Sequence, residues 1–230
     1  MLATYHRGGG DRPKDDESLD VEEDGSFVLT RTVGGPRVGS FAGNIPPKAR
    51  ATLARLVENA DDFEERPSGL PPHVTESVTT SRADIAVGAR AKTSNPATKL
   101  VRRMRELSDD LTAAPVAALE LSVAADGSSI TMTSVGSAPV EVAFGQASLT
   151  YTLFGEGEEL LTAGEIAGPR QARTRARLDP GWTAELAITP DLQFNARRTL
   201  DVKVEFDLYD ADGRMRRARL RAISGKGWSR

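Results

Sequence analysis

The stretch "TLDVKVEFDLYDADGRMRRARLRAI", residues 199–223, decides what the second half of this 230-residue chain can fold into. Up to position 209 apolar residues alternate with polar or charged ones, which is the two-residue period of a strand buried on one face only. The sequence "DADGR" at 210–214 then matches a three-residue hairpin loop with glycine at the left-handed position. The segment therefore predicts two antiparallel strands joined by that loop.

The loop also predicts the register of this hairpin, because closing it places Asp210 opposite Arg214. Counting outward along both strands gives the other facing pairs: Asp207 with Arg217, Glu205 with Arg219, Phe206 with Ala218, and Val204 with Leu220. The apolar pairs are predicted to point inward, and the charged pairs outward together with Asp201 and Lys203. Such pairing would compensate most of the positive charge of the second strand.

Short alternating runs of the same kind fill residues 116–230. Turn signals such as "ADGS", "GSAP" and "LDPGW" separate them, and no segment in this part has the period of a helix. Short antiparallel strands at this spacing favour an all-β, immunoglobulin-like sandwich.

Residues 25–112 have a mixed pattern that predicts a small α+β domain. Its elements are, in order, a strand at 27–33, a helix at 47–63, a strand around 85–87 and a helix that begins near Pro96 and ends near 111. This order is β-α-β-α, with room for further strands at 2–6 and 74–80. The change from helical to strand period places the boundary between the two domains at 112–116.

Residues 1–24 are expected to form a flexible acidic segment, apart from the candidate strand at 2–6. The segment contains three consecutive glycines, Gly8, Gly9 and Gly10, and the acidic run "DRPKDDESLDVEED". Few apolar residues interrupt that run, and a segment of this composition cannot bury enough surface to order itself.

The composition excludes several kinds of chemical site. The chain has no cysteine and only two histidines, His6 and His73, which rules out disulfides, thiol nucleophiles and most zinc sites. His73 is close in sequence to Glu76 and Ser77, but proximity in sequence does not make a catalytic triad, so His73 is interpreted as a loop residue. The acid pairs within 61–65 are interpreted as the solvated end of a helix. We therefore expect no enzyme active site, no metal and no cofactor.

Nothing in the sequence resembles a membrane span or a secretion signal. No apolar run reaches the roughly 20 residues that cross a bilayer. The N-terminal "MLATYHRGGGDRPKDD" has neither an apolar core nor a small-residue cleavage site. A cytoplasmic location is therefore expected.

The glycine-rich stretch "RVGSFAGNIPP", residues 37–47, invites comparison with phosphate-binding loops. It contains no lysine of the GxxxxGK[ST] type. A dinucleotide site would need free N–H groups at the start of the following helix, and Pro46 and Pro47 each remove one. Gly39 and Gly43 are instead interpreted as allowing a tight turn from a strand into the helix.

The same stretch carries a resemblance, together with a helix ending "LVENADDF" and a helix "NPATKLVRRMREL". These features resemble the emfourin family, small cytosolic bacterial proteins that inhibit thermolysin-like metallopeptidases. The matching positions are Gly39, Phe41, Ala42 and Gly43, with Ser40 in place of a family glycine, and Phe63 for the aromatic that ends the first helix. The resemblance covers about residues 25–111.

The emfourin resemblance implies a binding loop for a peptidase, formed by Arg37, Ser40, Phe41 and Asn44. Phe41, flanked by glycines just before a helix, is expected to be exposed there. The strands after residue 116 are similar to the BsuPI-type intracellular proteinase inhibitors in their order and their "LDPG" turn.

A second candidate surface is the run "RQARTRARL", residues 170–178, where Arg173, Arg175 and Arg177 fall on one face of a strand. The acidic loop "GEGEEL" at 155–160 is the one evident partner for these arginines. Guanidinium groups in a row can bind phosphates or an acidic protein. The run contains no aromatic residue on which a base could stack, which disfavours nucleic acid as the partner.

These patterns together favour a non-enzymatic, two-domain protein whose role is to bind another protein. Restraint of a thermolysin-like metallopeptidase is the role that the resemblance implies. The alternative is a structural or assembly subunit of a larger bacterial complex, which would be expected to expose apolar patches.

Overall fold

The computed structural model describes residues 1–8, 17–33, 35–60, 75–81, 84–87, 96–124, 127, 129–145, 149–156, 158–166, 169, 174–186 and 198–224. These residues are mostly β, with fifteen strands in two sheets and two α-helices. In the part of the chain described here, no helix is long and apolar enough to cross a membrane.

The chain divides into two compact units whose boundaries do not follow the sequence continuously. The first unit comprises Met1–Arg31 and Ser40–Pro115, and the second comprises Thr32–Gly39 and Val116–Arg230. The segment 32–39, which the sequence pattern assigned to the α+β domain, therefore belongs to the second unit.

Backbone hydrogen bonds and burial explain this assignment of residues 32–39. Three of its carbonyl groups accept hydrogen bonds, from Arg219 N to Thr32 O (2.8 Å), from Arg221 N to Gly35 O (2.9 Å) and from Leu121 N to Pro36 O (2.8 Å). The side chain of Val38 is fully buried in the hydrophobic core of the second unit.

The described part of the first unit has four strands before its first helix, and the fourth of them starts within residues 32–39 of the second unit. Its elements are β1 (Ala3–Gly8), β2 (Glu17–Val21), β3 (Ser26–Arg31), β4 (Arg37–Asn44), α1 (Pro47–Ala60), β5 (Thr75–Thr79), β6 (Asp84–Val87) and α2 (Pro96–Asp110). The strand order is β4-β3-β2-β1-β5-β6, and β1 pairs antiparallel with both β2 and β5. The simple β-α-β-α alternation is therefore not the order that the structure has.

Strand β2 corrects the expectation of a flexible N-terminal segment, since it lies within residues 1–24. Leu19 and Val21 are fully buried there, and β2 pairs with β1 on one side and β3 on the other. Two alternating apolar residues suffice to hold β2 in the sheet, because β1 and β3 pair with it on both sides. The candidate strands at 2–6 and 74–80 are present as β1 and β5.

Both helices begin at a proline, which is tolerated at the first helical position because that N–H has no partner inside the helix. In α1, Leu53, Val57 and Ala60 are buried, as their spacing predicts. The predicted end of this helix, residues 61–63, lies outside the described residues. In α2 the predicted stripe is buried: Leu100, Val101, Met104 and Leu107.

The described part of the second unit has nine strands in two sets, and the first of these strands starts at Pro115, the last residue of the first unit. They are β7 (Pro115–Val123), β8 (Ile130–Gly136), β9 (Val140–Ala143), β10 (Leu149–Phe154), β11 (Leu160–Ile166), β12 (Ala176–Leu178), β13 (Thr183–Leu186), β14 (Thr199–Tyr209) and β15 (Met215–Ile223). One set has the order β13-β8-β7, and the other has the order β11-β10-β14-β9-β12 with β15 paired to β14. A single hydrophobic core contains side chains from both sets, and the rings of Phe144 and Phe206 lie 5.2 Å apart within it.

The hairpin β14–β15 has the register that the sequence predicts. Glu205 faces Arg219, Phe206 faces Ala218 and Asp207 faces Arg217. In the loop, Gly213 has a φ of 75°, and Asp210 N donates a hydrogen bond of 3.1 Å to Arg214 O. The five inward apolar side chains of β14, at positions 200, 202, 204, 206 and 208, are all buried.

One residue of the outer face departs from the prediction. Asp201 was expected to be solvated but is only 5% exposed. Arg221 donates two hydrogen bonds of 2.9 Å to its carboxylate, and Lys203 lies 3.7 Å from it. These cations supply the compensation that a buried carboxylate needs.

Substitutions in β14 test the two faces of this strand. Val204→Asp places an uncompensated carboxylate at a fully buried position, which we expect to cost several kcal/mol of the ~5–15 kcal/mol that stabilises a typical domain. Glu205→Ala removes a half-exposed partner of Arg219 and should cost less than ~1 kcal/mol. Urea denaturation followed by fluorescence measures both values. Equal losses for the two variants would contradict the observed register.

Candidate functional site

The predicted binding loop at residues 37–44 is a strand, β4, so the expectation of a turn at this place is wrong. Gly39 has a φ of 138°, and a Cβ on it would collide with the backbone of Ala117 and Ala118. A Cβ on Gly43 would lie 3.2 Å from the ring of Phe27. The two glycines therefore allow neighbouring groups to pack closely onto the strand. Sequence reasoning missed this role because turns and close packing both favour glycine.

The four predicted contact residues of β4 differ sharply in exposure. Phe41 is fully buried, which corrects the expectation that its ring is available to a partner. Ser40 is partly buried and Asn44 is exposed. The guanidinium of Arg37 lies 3.0 Å from the carboxylate of Glu120 and is about one-third exposed. Of this set, Asn44 at the end of the strand is the residue that a partner could reach most easily.

The arginine run 173–177 has a partner that the sequence did not reveal. Strand β12 pairs with β9, and this brings Arg175 into an ion pair with Glu141. The guanidinium of Arg175 also lies 4.3 Å from the centre of the Tyr209 ring, a cation–π geometry. The acidic loop at 155–160 was therefore the wrong candidate for Arg175, because the sequence could not show that β12 and β9 are neighbours.

Arg177 is not brought into the same cluster as Arg175. Arg177 lies 3.6 Å from Asp179, and both side chains are well exposed. Arg173 lies outside the described residues. Arg175 and Arg177, the two described arginines of the run, each have an acidic neighbour, which disfavours them as a phosphate-binding surface.

The second arginine row, on β15, is paired with acids of β14 as predicted. Arg217 lies 3.1 Å from Asp207, and Arg219 lies 3.0 Å from Glu205. Hydrogen bonds to Asp201 raise the pKa of Arg221. The outer face of this hairpin is therefore a ladder of compensated charges, which disfavours it as an anion site.

A row of four alternating charges crosses neighbouring strands of the first unit, and sequence reasoning missed it. Glu76 on β5 faces Arg7 on β1, Arg7 faces Glu17 on β2, and Glu17 faces Arg31 on β3. Glu17, Arg31 and Glu76 are buried, whereas Arg7 is about half exposed. The sequence pattern assigns Arg7 and Glu17 to the N-terminal segment 1–24, Arg31 to the strand at 27–33 and Glu76 to the neighbourhood of His73, so it does not bring these four residues together.

Helix α2 completes the polar contacts of both buried acids in this row. Arg105 binds Glu76 through two nitrogen atoms, and the Tyr5 hydroxyl donates a hydrogen bond of 3.0 Å to the same carboxylate. Ser108 donates to Glu17, and Asp109 accepts from Arg31. Hydrogen bonds to Glu76 raise the pKa of Arg105.

These contacts disfavour a catalytic role for Glu76. Its carboxylate is engaged by Tyr5 and Arg105, so it is not placed to orient a catalytic histidine. The predicted neighbour His73 lies outside the described residues. Within the described ranges, no group of three or more histidine, aspartate or glutamate side chains is arranged to hold a metal ion.

A further surface stands out on β11, the last strand in the order of its sheet. Leu160 is 64% exposed and Leu161 is 43% exposed, which makes them the only adjacent pair of exposed large apolar side chains in the described chain. They follow the turn that contains Glu156, Glu158 and Glu159, all exposed. An apolar patch on an open strand is a typical protein contact.

No protein-family model, curated protein or solved structure matches this chain. The resemblances to emfourin and to the BsuPI-type inhibitors therefore stay predictions.

Substitution of Phe41 tests whether its side chain on β4 lies in the core or at the surface. We expect Phe41→Ala to lower the free energy of unfolding by about 3–5 kcal/mol, because it leaves a cavity where a fully buried ring stood. Asn44→Ala, at an exposed position three residues later, should change it by less than ~0.5 kcal/mol. Thermal and urea melts measure both. If Phe41→Ala unfolds like the wild type, the ring is not in the core.

The raised pKa of Tyr5 allows the buried row of charges to be tested by measuring stability at alkaline pH. Burial, together with the negative charges of Glu76 and Glu17, raises the pKa of Tyr5 well above its ordinary value. Above the unfolded-state value of about 10 the unfolded chain releases this proton and the folded chain keeps it. Stability from this group is therefore complete below pH 10 and falls above it, by at most about 1.4 kcal/mol per pH unit.

The variant Tyr5→Phe should remove that alkaline fall, while Tyr209→Phe should retain it. Urea melts between pH 8 and about 11.5, compared as differences from the wild type, give the slope due to Tyr5. Parallel curves for the wild type and Tyr5→Phe would show that the hydroxyl of Tyr5 is not buried against Glu76.

Proposed function

We propose that this chain is a non-enzymatic protein that works by binding another protein. The observation that carries the proposal is the exposure of Leu160 and Leu161 on β11. Their hydration costs free energy that a partner would recover on covering them, at roughly 25 cal/mol for each Å² of apolar surface.

The state of the buried acids supports a non-enzymatic role. Three buried carboxylates are ion-paired with arginine: Glu17 with Arg31, Glu76 with Arg105, and Asp201 with Arg221. A general acid or base usually needs a carboxyl group whose proton is free to move near neutral pH. Carboxylates held by guanidinium groups are poor candidates for that task.

An immunoglobulin-like sandwich for the second unit agrees with this role, because such domains commonly present their strands and loops to partners. Two observations support this topology. Strands β9 and β10 pair with successive parts of the same strand, β14, as one interrupted strand would. Strand β15 pairs with β14 as well, which gives a β15-β14-β9/β10-β11 layer beside the β13-β8-β7 set.

The partner class implied by resemblance is a thermolysin-like metallopeptidase, and an assembly partner in a larger complex is the alternative. Burial of Phe41 removes the aromatic contact on which the inhibitor hypothesis relied, and leaves Asn44 as its exposed residue. Residual activity of a purified thermolysin-like peptidase, measured at increasing concentrations of this chain, tests the hypothesis directly. Inhibition that Asn44→Ala weakens would support it, and unchanged activity would favour the assembly role.

The general proposal is tested by isolating a partner. The full chain serves as bait in a native lysate with cross-linking, and each candidate is then purified and mixed with the chain. A stoichiometric complex on size-exclusion chromatography is the expected result. If no candidate re-forms a complex from purified components, the protein-binding function is wrong.

A further inference from the structure

Two hairpin loops of this chain share one backbone arrangement and one dipeptide, aspartate followed by glycine. They are "EEDGS" at 22–26, between β2 and β3, and "DADGR" at 210–214, between β14 and β15. In each loop the N–H of the first residue donates to the carbonyl of the fifth, over 2.8 and 3.1 Å. The glycine N–H donates to the carbonyl of the first residue, over 3.0 and 2.9 Å, and both glycines have a positive φ, 92° and 75°. The two loops are therefore a matched pair.

An aspartate–glycine step can rearrange with water as the sole reagent. The main-chain nitrogen of the glycine attacks the side-chain Cγ, a C–N bond forms, and the carboxyl hydroxyl leaves with the amide proton as water, which gives a succinimide ring. Water then adds to the carbonyl that belonged to the main chain and breaks the original peptide bond. The product is isoaspartate, of unchanged mass, whose main chain runs through the former side chain and is one carbon longer. Glycine favours the step because it has no Cβ to hinder the attack.

The aspartate of the first loop is held away from this reaction. The Asp24 carboxylate accepts hydrogen bonds from Ser26 N over 2.8 Å and from Ser26 Oγ over 2.7 Å. Arg50 donates to the carbonyl of Asp24 over 3.1 Å, and Ile45 N donates to the carbonyl of Gly25, a buried residue, over 2.9 Å. Turning Cγ toward the glycine nitrogen would break the bonds from Ser26. Those bonds also lower the pKa of Asp24, and an ionised carboxylate is a poorer target for attack than the neutral acid.

The aspartate of the second loop lacks these restraints. Asp212 and Gly213 are both exposed, and within the described residues the Asp212 carboxylate has no hydrogen bond or ion pair. The spare N–H groups of this loop go to another acid, because Asp212 N and Arg214 N donate to Asp210 Oδ1 over 3.1 and 2.8 Å. The side chain of Asp212 is therefore free to turn toward the nitrogen of Gly213.

We propose that Asp212 is a modification site, at which this protein converts aspartate to isoaspartate over time in solution, while the matched Asp24 is protected. The conversion has a structural consequence, because the three-residue loop closes only with a main chain of normal length. An extra carbon between Asp212 and Gly213 is expected to break the hydrogen bonds of the loop and to loosen the adjoining ends of β14 and β15, whose first facing pair is Tyr209 with Met215.

The test is prolonged incubation of the full chain at neutral pH, below its melting temperature, followed by tryptic peptide mapping. Electron-transfer fragmentation distinguishes isoaspartate from aspartate although their masses are equal. Asp24 and Asp212 lie on different tryptic peptides, as does the third such step, 126–127, whose aspartate is outside the described residues. We expect about tenfold or more isoaspartate at 212 than at 24, because Asp24 must first lose its hydrogen bonds. In concentrated urea the two positions should convert equally.

Two variants separate the causes. Asp212→Glu should abolish conversion at 212 and leave position 24 unchanged, because glutamate would have to close a less favourable six-membered ring. Ser26→Ala removes one donor from Asp24 and should raise isoaspartate at 24 severalfold without changing 212. Hydrogen exchange gives an independent readout: after incubation the amides at the loop end of β14 and β15 should exchange faster in the wild type, and should be unchanged in Asp212→Glu.

The proposal is overturned if positions 24 and 212 convert equally in the folded chain, or if 212 does not convert although the urea-unfolded chain does. An unchanged level at 24 in Ser26→Ala would show that Ser26 is not the protecting group. Equal hydrogen exchange before and after conversion would show that the hairpin tolerates the longer main chain.

Discussion

The hydrogen bonds made by the backbone of residues 32–39 are the constraint on which the second unit depends. Carbonyl groups of Thr32 and Gly35 accept from β15, and that of Pro36 accepts from β7, so this short segment satisfies donors on two strands from far later in the chain. Buried donors without such partners would each cost free energy comparable to a lost hydrogen bond. Val38 adds a fully buried side chain to the same core. The second unit is therefore complete only when residues 32–39 are part of it.

Both units place charged side chains in compensated sets. In the first unit a row of alternating charges crosses four strands, and α2 supplies the remaining polar partners for Glu17 and Glu76. In the second unit the arginines of β15 are paired with the acids of β14. A buried ion pair contributes little net stability, but removing one partner leaves a costly uncompensated charge. These sets therefore restrict which strand register is tolerated more than they add to stability.

Because the charges of the arginine rows are compensated, these rows are weaker candidates for a binding surface than β11. Where acids and arginines are paired within one hairpin, an external anion gains little electrostatic binding energy. At β11 two leucines are exposed on a strand that ends the order of its sheet. A partner there would gain apolar burial and backbone hydrogen bonds together, which is how added strands usually bind. The protein-binding proposal thus rests on the two exposed leucines of β11.

The sequence by itself determined the local features of this protein. The alternation of 199–209 and the glycine of the "DADGR" loop predicted both strands and their register, and the apolar stripes predicted both helices. These features depend on neighbouring residues and fixed periods, which a single sequence contains.

Only the tertiary structure decided which distant segments become neighbours. It placed β2 in a sheet although its sequence is acidic, because β1 and β3 cover it on both sides. It buried Phe41, because Gly39 and Gly43 serve close packing and not a turn. It gave Arg175 its partner Glu141, because β12 and β9 pair. None of these neighbours is adjacent in the chain, and backbone pairing between remote strands leaves no periodic signal in the sequence of either one.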